Sequence, residues 1–361
     1  MSALYRTYRP QRFADIVGQE PIKLTLQNEI IAGSIAHAYM FSGPRAVGKT
    51  TTARVFSRAI NCTQRKPGIA EPCNECEPCT AILERRTLDV IEIDAASHTG
   101  VDNVRENIIA AAKVANSQLV NKVFIIDEVH MLSTSAFNAL LKLLEEPPSH
   151  VVFIFATTEL HKVPATIISR CERFDFKKIP AKEMFARLAF ITKAEKKTIE
   201  KEVLQDIVRL SQGCQRVAES LLGQVLSLGA DITHKDAAAI LPRTDHALVL
   251  AMADAVSTKD SQKGLMLVEQ LIENGVDLDV FVGDMIEYLR NVMLYKNNVA
   301  SLVDADEVAN LKLIELSSTL SMGEILTLIG HWMMAQKDAR WFSLPQLPLE
   351  IAVVKGCTRG E

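Results

Sequence analysis

The octapeptide GPRAVGKT, Gly43 to Thr50, restricts the fold more than any other stretch of this chain. It has the spacing G-x-x-x-x-G-K-[ST], follows the apolar run "AYMFSG" and precedes the helical pattern "TTARVFSRAI". A strand that turns through such a loop into a helix aims several backbone N–H groups at one spot, which is how a helix start cradles phosphate. Glycine is required at the turn because a Cβ would obstruct close approach to the phosphates. The expected nucleotide-binding set is therefore Gly43, Pro44, Arg45, Ala46, Val47, Gly48, Lys49, Thr50 and Thr51. In it, Lys49 can reach the β and γ groups and the Thr50 hydroxyl can hold Mg2+.

"KVFIIDEVH" supplies the second half of such a site. Its apolar residues read as a buried strand ending at Asp127, which can support Mg2+, followed by Glu128, which can polarise an attacking water. An in-line attack needs both metal and base, so the pair favours hydrolysis over mere binding. "FIFATT" ends a further strand with Thr157 and Thr158, whose hydroxyls can sense the γ-phosphate or the water; strand propensity alone also accounts for them.

Short apolar runs ("AYMFSG", "LDVIEID", "KVFIID", "VVFIFATT") alternate with helical patterns in the first half, which predicts a doubly wound α/β sheet. From about Lys182 onward the strands stop, and the second half is expected to be all helix. Leu265, Val268, Leu271 and Ile272 fit one helix face, and Phe281, Met285, Leu289 and Val292 another. Proline interrupts the periodicity near "KKIPAK" and "LPRTDH", giving segments 1–178, 179–242 and 243–361. The 361 residues are too many for one ordinary core. A net charge of −4 excludes a protein that coats nucleic acid with its whole surface, so any such contact must use a local patch. No apolar run is long enough to cross a bilayer and the N-terminus lacks the apolar core of a secretory signal, so a cytoplasmic protein without membrane contact is expected.

Four of the seven cysteines crowd into residues 62–79 as C-x10-C-x2-C-x2-C. Cys62, Cys73, Cys76 and Cys79 suit a closed, structural Zn2+ site; buried free thiols, a redox switch or an iron–sulfur centre are the competing readings. Cys171, Cys214 and Cys357 are isolated and read as packing residues. His37, His98 and His130 have neither metal spacing nor a nucleophilic partner, so structural roles are expected. Arg170 follows the apolar pair Ile167 and Ile168, and its planar fork suits either a phosphate or a surface ion pair.

Together, "YRPQRFADIVGQE", "HAYMFSGPRAVGKTTTAR", the four cysteines, "IEIDAAS", "IIDEVHMLSTSAFNALLKLLEEPP", "FIFATTE" and "IISRC" resemble the AAA+ ATPases, and more narrowly the gamma/tau family of bacterial DNA polymerase III clamp-loader subunits. The resemblance is dense over residues 5 to about 175 and loose beyond. It implies an AAA+ domain with a zinc insert, a helical lid and a helical collar that joins five subunits. It also implies ATP/ADP, Mg2+ and Zn2+ as cofactors, and other loader subunits, the sliding clamp and primer-template DNA as partners. Ser169, Arg170 and Cys171 fall on the family's arginine-finger signature, which places Arg170 against ATP on the adjacent subunit. Arg9, Pro10, Val17 and Gly18 match its adenine-side segment, Thr157 and Thr158 its first sensor, and Arg216 the second-sensor arginine. In "GCQRVAE", however, Cys214 and Val217 stand where the family has Ser and Asp, leaving Arg216 without its usual orienting carboxylate. Arg105 matches a DNA-contact position, although His98 and Gly100 replace frequent bases, and a solvated helix start explains it as well. The chain ends at Glu361 without the family's long extension, as in a short isoform or a trimmed form. Another AAA+ DNA remodeller and a largely structural loader subunit are the alternative functions.

Overall fold

A computed structural model describes residues 3–97, 105–237, 240–241, 246–299, 307–339, 342 and 344–358. The expected break at "LPRTDH" and the DNA-contact group of His98, Gly100 and the Arg105 side chain fall outside the described residues and side chains. Two units divide the chain, Met1–Ala237 and Ala238–Glu361.

The first unit opens with α1 (Leu4–Thr7), α2 (Glu20–Ala32), β1 (Ala38–Ser42), α3 (Lys49–Asn61), α4 (Glu77–Leu83) and β2 (Val90–Asp94). It continues through α5 (Ala110–Lys113), β3 (Lys122–Asp127), α6 (Thr134–Glu145), β4 (Val151–Thr157), α7 (Ala165–Ile168) and β5 (Glu172–Asp175). All five strands pair in parallel in the order β2-β3-β4-β1-β5. β1 and β4 are buried at every residue because helices cover both faces, which is why their sequences are apolar without alternation. On one face Tyr39, Phe41, Ile125 and Ile154 pack with Leu26 of α2 and Phe56 of α3. On the other Met40, Phe124, Phe153 and Phe155 pack with Leu140 and Leu144 of α6. Phe124 and Phe153 stack at 5.3 Å, and full burial of each ring is worth about 1.5–3 kcal/mol.

Because β4 lies between β1 and β3, the chain reverses its winding beside β1. Ligands of open parallel sheets bind at the carboxyl ends of the strands at such a point. The register places Ser42 opposite Thr157, and the loop after β1 opens beside Asp127 at the end of β3.

The unit ends in α8 (Ala181–Ala194), β6 (Thr198–Ile199), α9 (Lys201–Ser211), α10 (Gln215–Leu226), β7 (Asp231–Ile232) and α11 (His234–Ala237). The helices share a core of Met184, Leu188, Ile191, Val203, Ile207, Ala218, Leu222 and Val225. β6 and β7 pair in parallel, so this region is not purely helical as expected. Two-residue strands are too short to register as a period, and only the approach of two distant loop ends creates the ladder.

The second unit contains α12 (His246–Ser257), α13 (Ser261–Glu273), α14 (Leu278–Lys296), α15 (Glu307–Thr319), α16 (Met322–Asp338) and α17 (Leu347–Cys357). Phe281, Met285, Leu289 and Val292 of α14 are buried around Trp332, as the periodicity predicts. Of the four positions expected on the α13 face, Val268 and Leu271 are buried, while Leu265 and Ile272 are each 38% exposed. The buried face of α13 is shifted to include Gly264, where an added Cβ would lie 2.5 Å from Val353. Among the described residues no single helix is long and apolar enough to cross a membrane.

Candidate nucleotide and metal sites

The loop after β1 is shaped by its backbone. Gly43 has φ +139°, and a Cβ there would lie 2.3 Å from the Phe176 carbonyl oxygen; Gly48, at φ +106°, caps α3. Between them Val47 anchors the loop in the core. Arg45, Ala46, Gly48, Lys49, Thr50 and Thr51 line a cleft of about 320 Å3, with Asp127 and Glu128 in its wall. The Thr50 hydroxyl donates to Asp127 Oδ2 at 2.7 Å. Lys49 Nζ is held inside the loop, donating to the carbonyls of Gly43 and Pro44 at 2.8 Å each. Burial pulls its ammonium below the ordinary pKa, opposed by the charges of Glu128 and Asp127.

Glu128 adopts φ +48° and is held from the residue that follows β4: Thr158 donates to its Oε2 through Oγ1 at 3.1 Å and through N–H at 3.4 Å. Thr157 is fully buried and lies behind the cleft, 3.0 Å from Nδ1 of His130. His130 also faces carboxylates of Glu128 at 3.5 Å and Glu159 at 3.3 Å. The two threonines are thus in different environments, Thr158 on the Glu128 carboxylate and Thr157 on His130.

Arg9 and Pro10 line the cleft, whereas Val17 and Gly18 do not; Gly18 packs against α8, where a Cβ would come within 2.9 Å of Glu183. Arg216 also lines the cleft, its guanidinium 5.9 Å from the centre of the Tyr5 ring. Among the described residues no carboxylate pairs with Arg216 in place of the Asp missing at Val217, which is 42% exposed, and the nearby Glu219 pairs with Arg187 at 3.2 Å. The N–H of Gln215 donates to the Ala46 carbonyl at 3.2 Å, so the start of α10 touches the phosphate loop. Arg170 lies outside this cleft. Its guanidinium reaches Glu145 and the Thr166 carbonyl, both at 2.7 Å.

Tyr5, Arg54, Glu92, Asp94, Gln215 and Glu219 were not legible as cleft residues in the sequence. Two signals pointed to some of them: Arg54 lies four residues after Thr50 on one helix, and Glu92 and Asp94 share one face of β2.

The four sulfurs of Cys62, Cys73, Cys76 and Cys79 all lie within 4.8 Å of one another, and none is in a disulfide. Tetrahedral Zn–S bonds of about 2.3 Å set sulfurs about 3.8 Å apart, and the pairs Cys73–Cys79 and Cys76–Cys62 are each at 3.9 Å. Backbone N–H groups of Glu75 and Cys76 point at Cys73 Sγ, at 3.4 and 3.2 Å, a geometry that supports thiolate. The donor set fits a closed thiolate site. Cys171 and Cys214 are half-buried and Cys357 is buried, each apart from this group.

Parallel sheet order, phosphate loop, the Asp–Glu strand end and the helical segment touching the loop define a P-loop nucleotide-binding protein of the AAA+ type. The fold is shared with the Thermotoga maritima RuvB Holliday junction branch migration motor, at 17% identity and a TM-score of 0.50 over 85% of this chain and 91% of that one. The chain belongs to the family of gamma and tau subunits of DNA polymerase III. Residues 232–359 match the model for DNA polymerase III subunits gamma and tau domain III, and residues 18–180 that for the DNA polymerase III delta subunit. It is 36% identical over 327 residues to DNA polymerase III subunit gamma of Buchnera aphidicola, covering 86% of this chain and 90% of that protein. With DNA polymerase III subunit tau of Bacillus subtilis it shares 43% identity over 361 residues, covering 98% of this chain but only 63% of that longer protein.

Proposed function

We propose that this chain is an ATP-hydrolysing motor subunit of a clamp loader, acting in the cytoplasm with other loader subunits, a sliding clamp and primer-template DNA. The proposal divides it into an AAA+ domain at 1–178, a lid at 179–242 and a collar at 243–361. The observation that carries the reading is the Thr50–Asp127 bond at the mouth of the phosphate loop, with Glu128 next in sequence. A purely structural subunit has no need of that set.

Thr50 and Asp127 would hold Mg2+ through hard oxygen donors, and the ion would neutralise charge on the β and γ oxygens. Lys49 exchanges its two loop carbonyls for phosphate oxygens as nucleotide enters. Glu128 accepts the proton of the attacking water once its bonds to Thr158 are broken, so Thr158 acts as a catch on the base. The Arg170–Glu145 pair is partly exposed, and such pairs are worth about 0–1 kcal/mol. Arg170 can therefore leave Glu145 for the triphosphate of a neighbouring subunit at little cost. Cys62, Cys73, Cys76 and Cys79 would hold Zn2+ as a closed four-thiolate site that ties their segments together.

The test is clamp- and DNA-stimulated ATP turnover in assemblies that mix Arg170→Ala subunits with Lys49→Ala subunits. Turnover should depend on which type sits beside which. Full turnover by isolated Arg170→Ala protomers, indifferent to neighbours, refutes the reading, and so does unaltered turnover in Glu128→Gln.

A further inference from the structure

The cleft divides chemically. Around the phosphate loop its lining side chains, among them Arg45, Lys49, Thr50, Asp127, Glu128 and Arg216, are polar or charged apart from the small Ala46 and Gly48. The larger apolar surfaces, those of Tyr5, Pro10 and Ile16, all come from the N-terminal segment. Phosphates belong with the first group. A flat, weakly polar base has only the second to lie against, so residues 5–16 form the base-side wall.

That wall has little regular structure of its own beyond α1 and a single 3-10 turn at Phe13–Asp15. It is gripped from two sides. At one end the Arg187 guanidinium donates to the Tyr8 carbonyl, and the Tyr8 hydroxyl donates to Glu195 at 2.6 Å. At the other end Lys23 of α2 donates to the Ile16 carbonyl at 3.0 Å, and the grips on Gln11, Phe13 and Ala14 come from the cysteine module or the helix leading into it. Arg58, four residues before Cys62, donates to the Gln11 carbonyl at 2.8 Å, and Asn74, next to Cys73, donates to the same oxygen at 3.2 Å. Glu71, two residues before Cys73, accepts the Phe13 N–H at 2.8 Å on one carboxylate oxygen and the Ala14 N–H at 2.9 Å on the other. Charge-assisted bonds of this kind are about twice as strong as neutral ones.

Neither Glu71 nor Asn74 lies in a helix or strand, so their positions are set by the chain closing on itself at the four sulfurs. Resting on the nucleotide-site reading above, we infer that the cysteine centre is a buckle for the base-side wall. Glu71 is its positioning residue: it sets the height of Pro10 and Ile16 above the phosphate loop without touching nucleotide, and metal at the sulfurs fixes Glu71. The zinc module is then part of the machinery of nucleotide recognition, through adenosine and not through phosphate.

The experiment uses the full chain with metal bound, compared as wild type, Glu71→Ala and, as a control in the same module, Glu75→Ala. ADP and inorganic tripolyphosphate are titrated separately by calorimetry, and amide exchange is followed at Phe13 and Ala14. Loss of hydrogen bonds to a charged group predicts about tenfold weaker ADP binding in Glu71→Ala, unchanged tripolyphosphate binding and faster exchange at the two amides. Glu75→Ala should match wild type. Wild-type protein stripped of metal by a chelator should lose ADP affinity in the same selective way and regain it with added Zn2+. ADP affinity unchanged in Glu71→Ala, or equal losses for ADP and tripolyphosphate, overturns the inference. Full ADP affinity in metal-free protein refutes the metal's part in it. Wild-type protein that binds neither ligand instead overturns the nucleotide reading, on which this inference depends.

Discussion

Arg187 of α8 and Glu219 of α10 form an ion pair whose side chains are 9% and 3% exposed. Replacing Arg187 with Met keeps an apolar stem and removes the charge, along with the guanidinium that lies 5.8 Å from the centre of the Phe190 ring. Glu219 is then left with the Gln215 amide, which donates to it at 2.7 Å, in a site that water barely reaches. Breaking a buried pair from one side costs about 3–5 kcal/mol, and the surviving Gln215 bond argues for the lower end. A loss of about 3 kcal/mol lowers the folded-to-unfolded ratio roughly 150-fold, and with a urea slope of about 2–3 kcal/mol/M it moves the midpoint down by about 1–1.5 M. Removing both charges in Arg187→Met/Glu219→Leu leaves no orphaned ion, so the double variant should be more stable than the single one. Urea unfolding by far-UV circular dichroism reads both units, whereas indole fluorescence reads only the second, since the two tryptophans are Trp332 and Trp341. The shift should therefore appear in the circular dichroism and not in the fluorescence. A single variant within about 0.5 kcal/mol of wild type, or a double variant whose loss is the sum of the two single losses, refutes the reasoning.

Glu29 is half-buried under Tyr39 and faces Glu172; burial raises its carboxyl from the ordinary 4.5 to about 7, the Tyr39 hydroxyl opposes the shift and the Glu172 charge adds to it. The folded state therefore holds a proton that the unfolded chain releases, so this group's contribution is intact below about pH 4.5 and is lost as pH rises through about 7. Glu29→Gln should accordingly raise the melting temperature relative to wild type at pH 8 and not at pH 4.5; an equal difference at both would refute the assignment. Gly43→Ala combines a strained backbone with contact on a carbonyl oxygen and should cost about 2–4 kcal/mol and abolish ADP binding, read by thermal melts with and without nucleotide. Wild-type stability and binding in that variant would show that the loop does not need the close turn seen at Phe176.

The sequence by itself determined whatever is written in short, local patterns. Apolar runs without alternation marked the buried strands β1, β3 and β4 but overstated β2, which is only partly buried; GPRAVGKT and the IIDE strand end marked one wall of the cleft, and a four-cysteine spacing marked the sulfur cluster, because each follows from chemistry acting within a few residues. Tertiary structure alone decided what depends on groups far apart in the chain. Thr157 and Thr158 are adjacent in sequence, yet the first, at the buried end of β4, bonds His130, and the second, just past the strand, bonds Glu128. The Glu219 carboxylate serves Arg187, β6 finds β7 with Thr198 opposite Asp231, and α13 turns its buried face toward Val353. Glu71 looks like an ordinary loop acid until the chain folds back and two amides, 57 and 58 residues away, come within hydrogen-bonding distance. Spacing has no signature for such encounters, because their geometry is set by the packing of the whole unit and not by any neighbour in the chain.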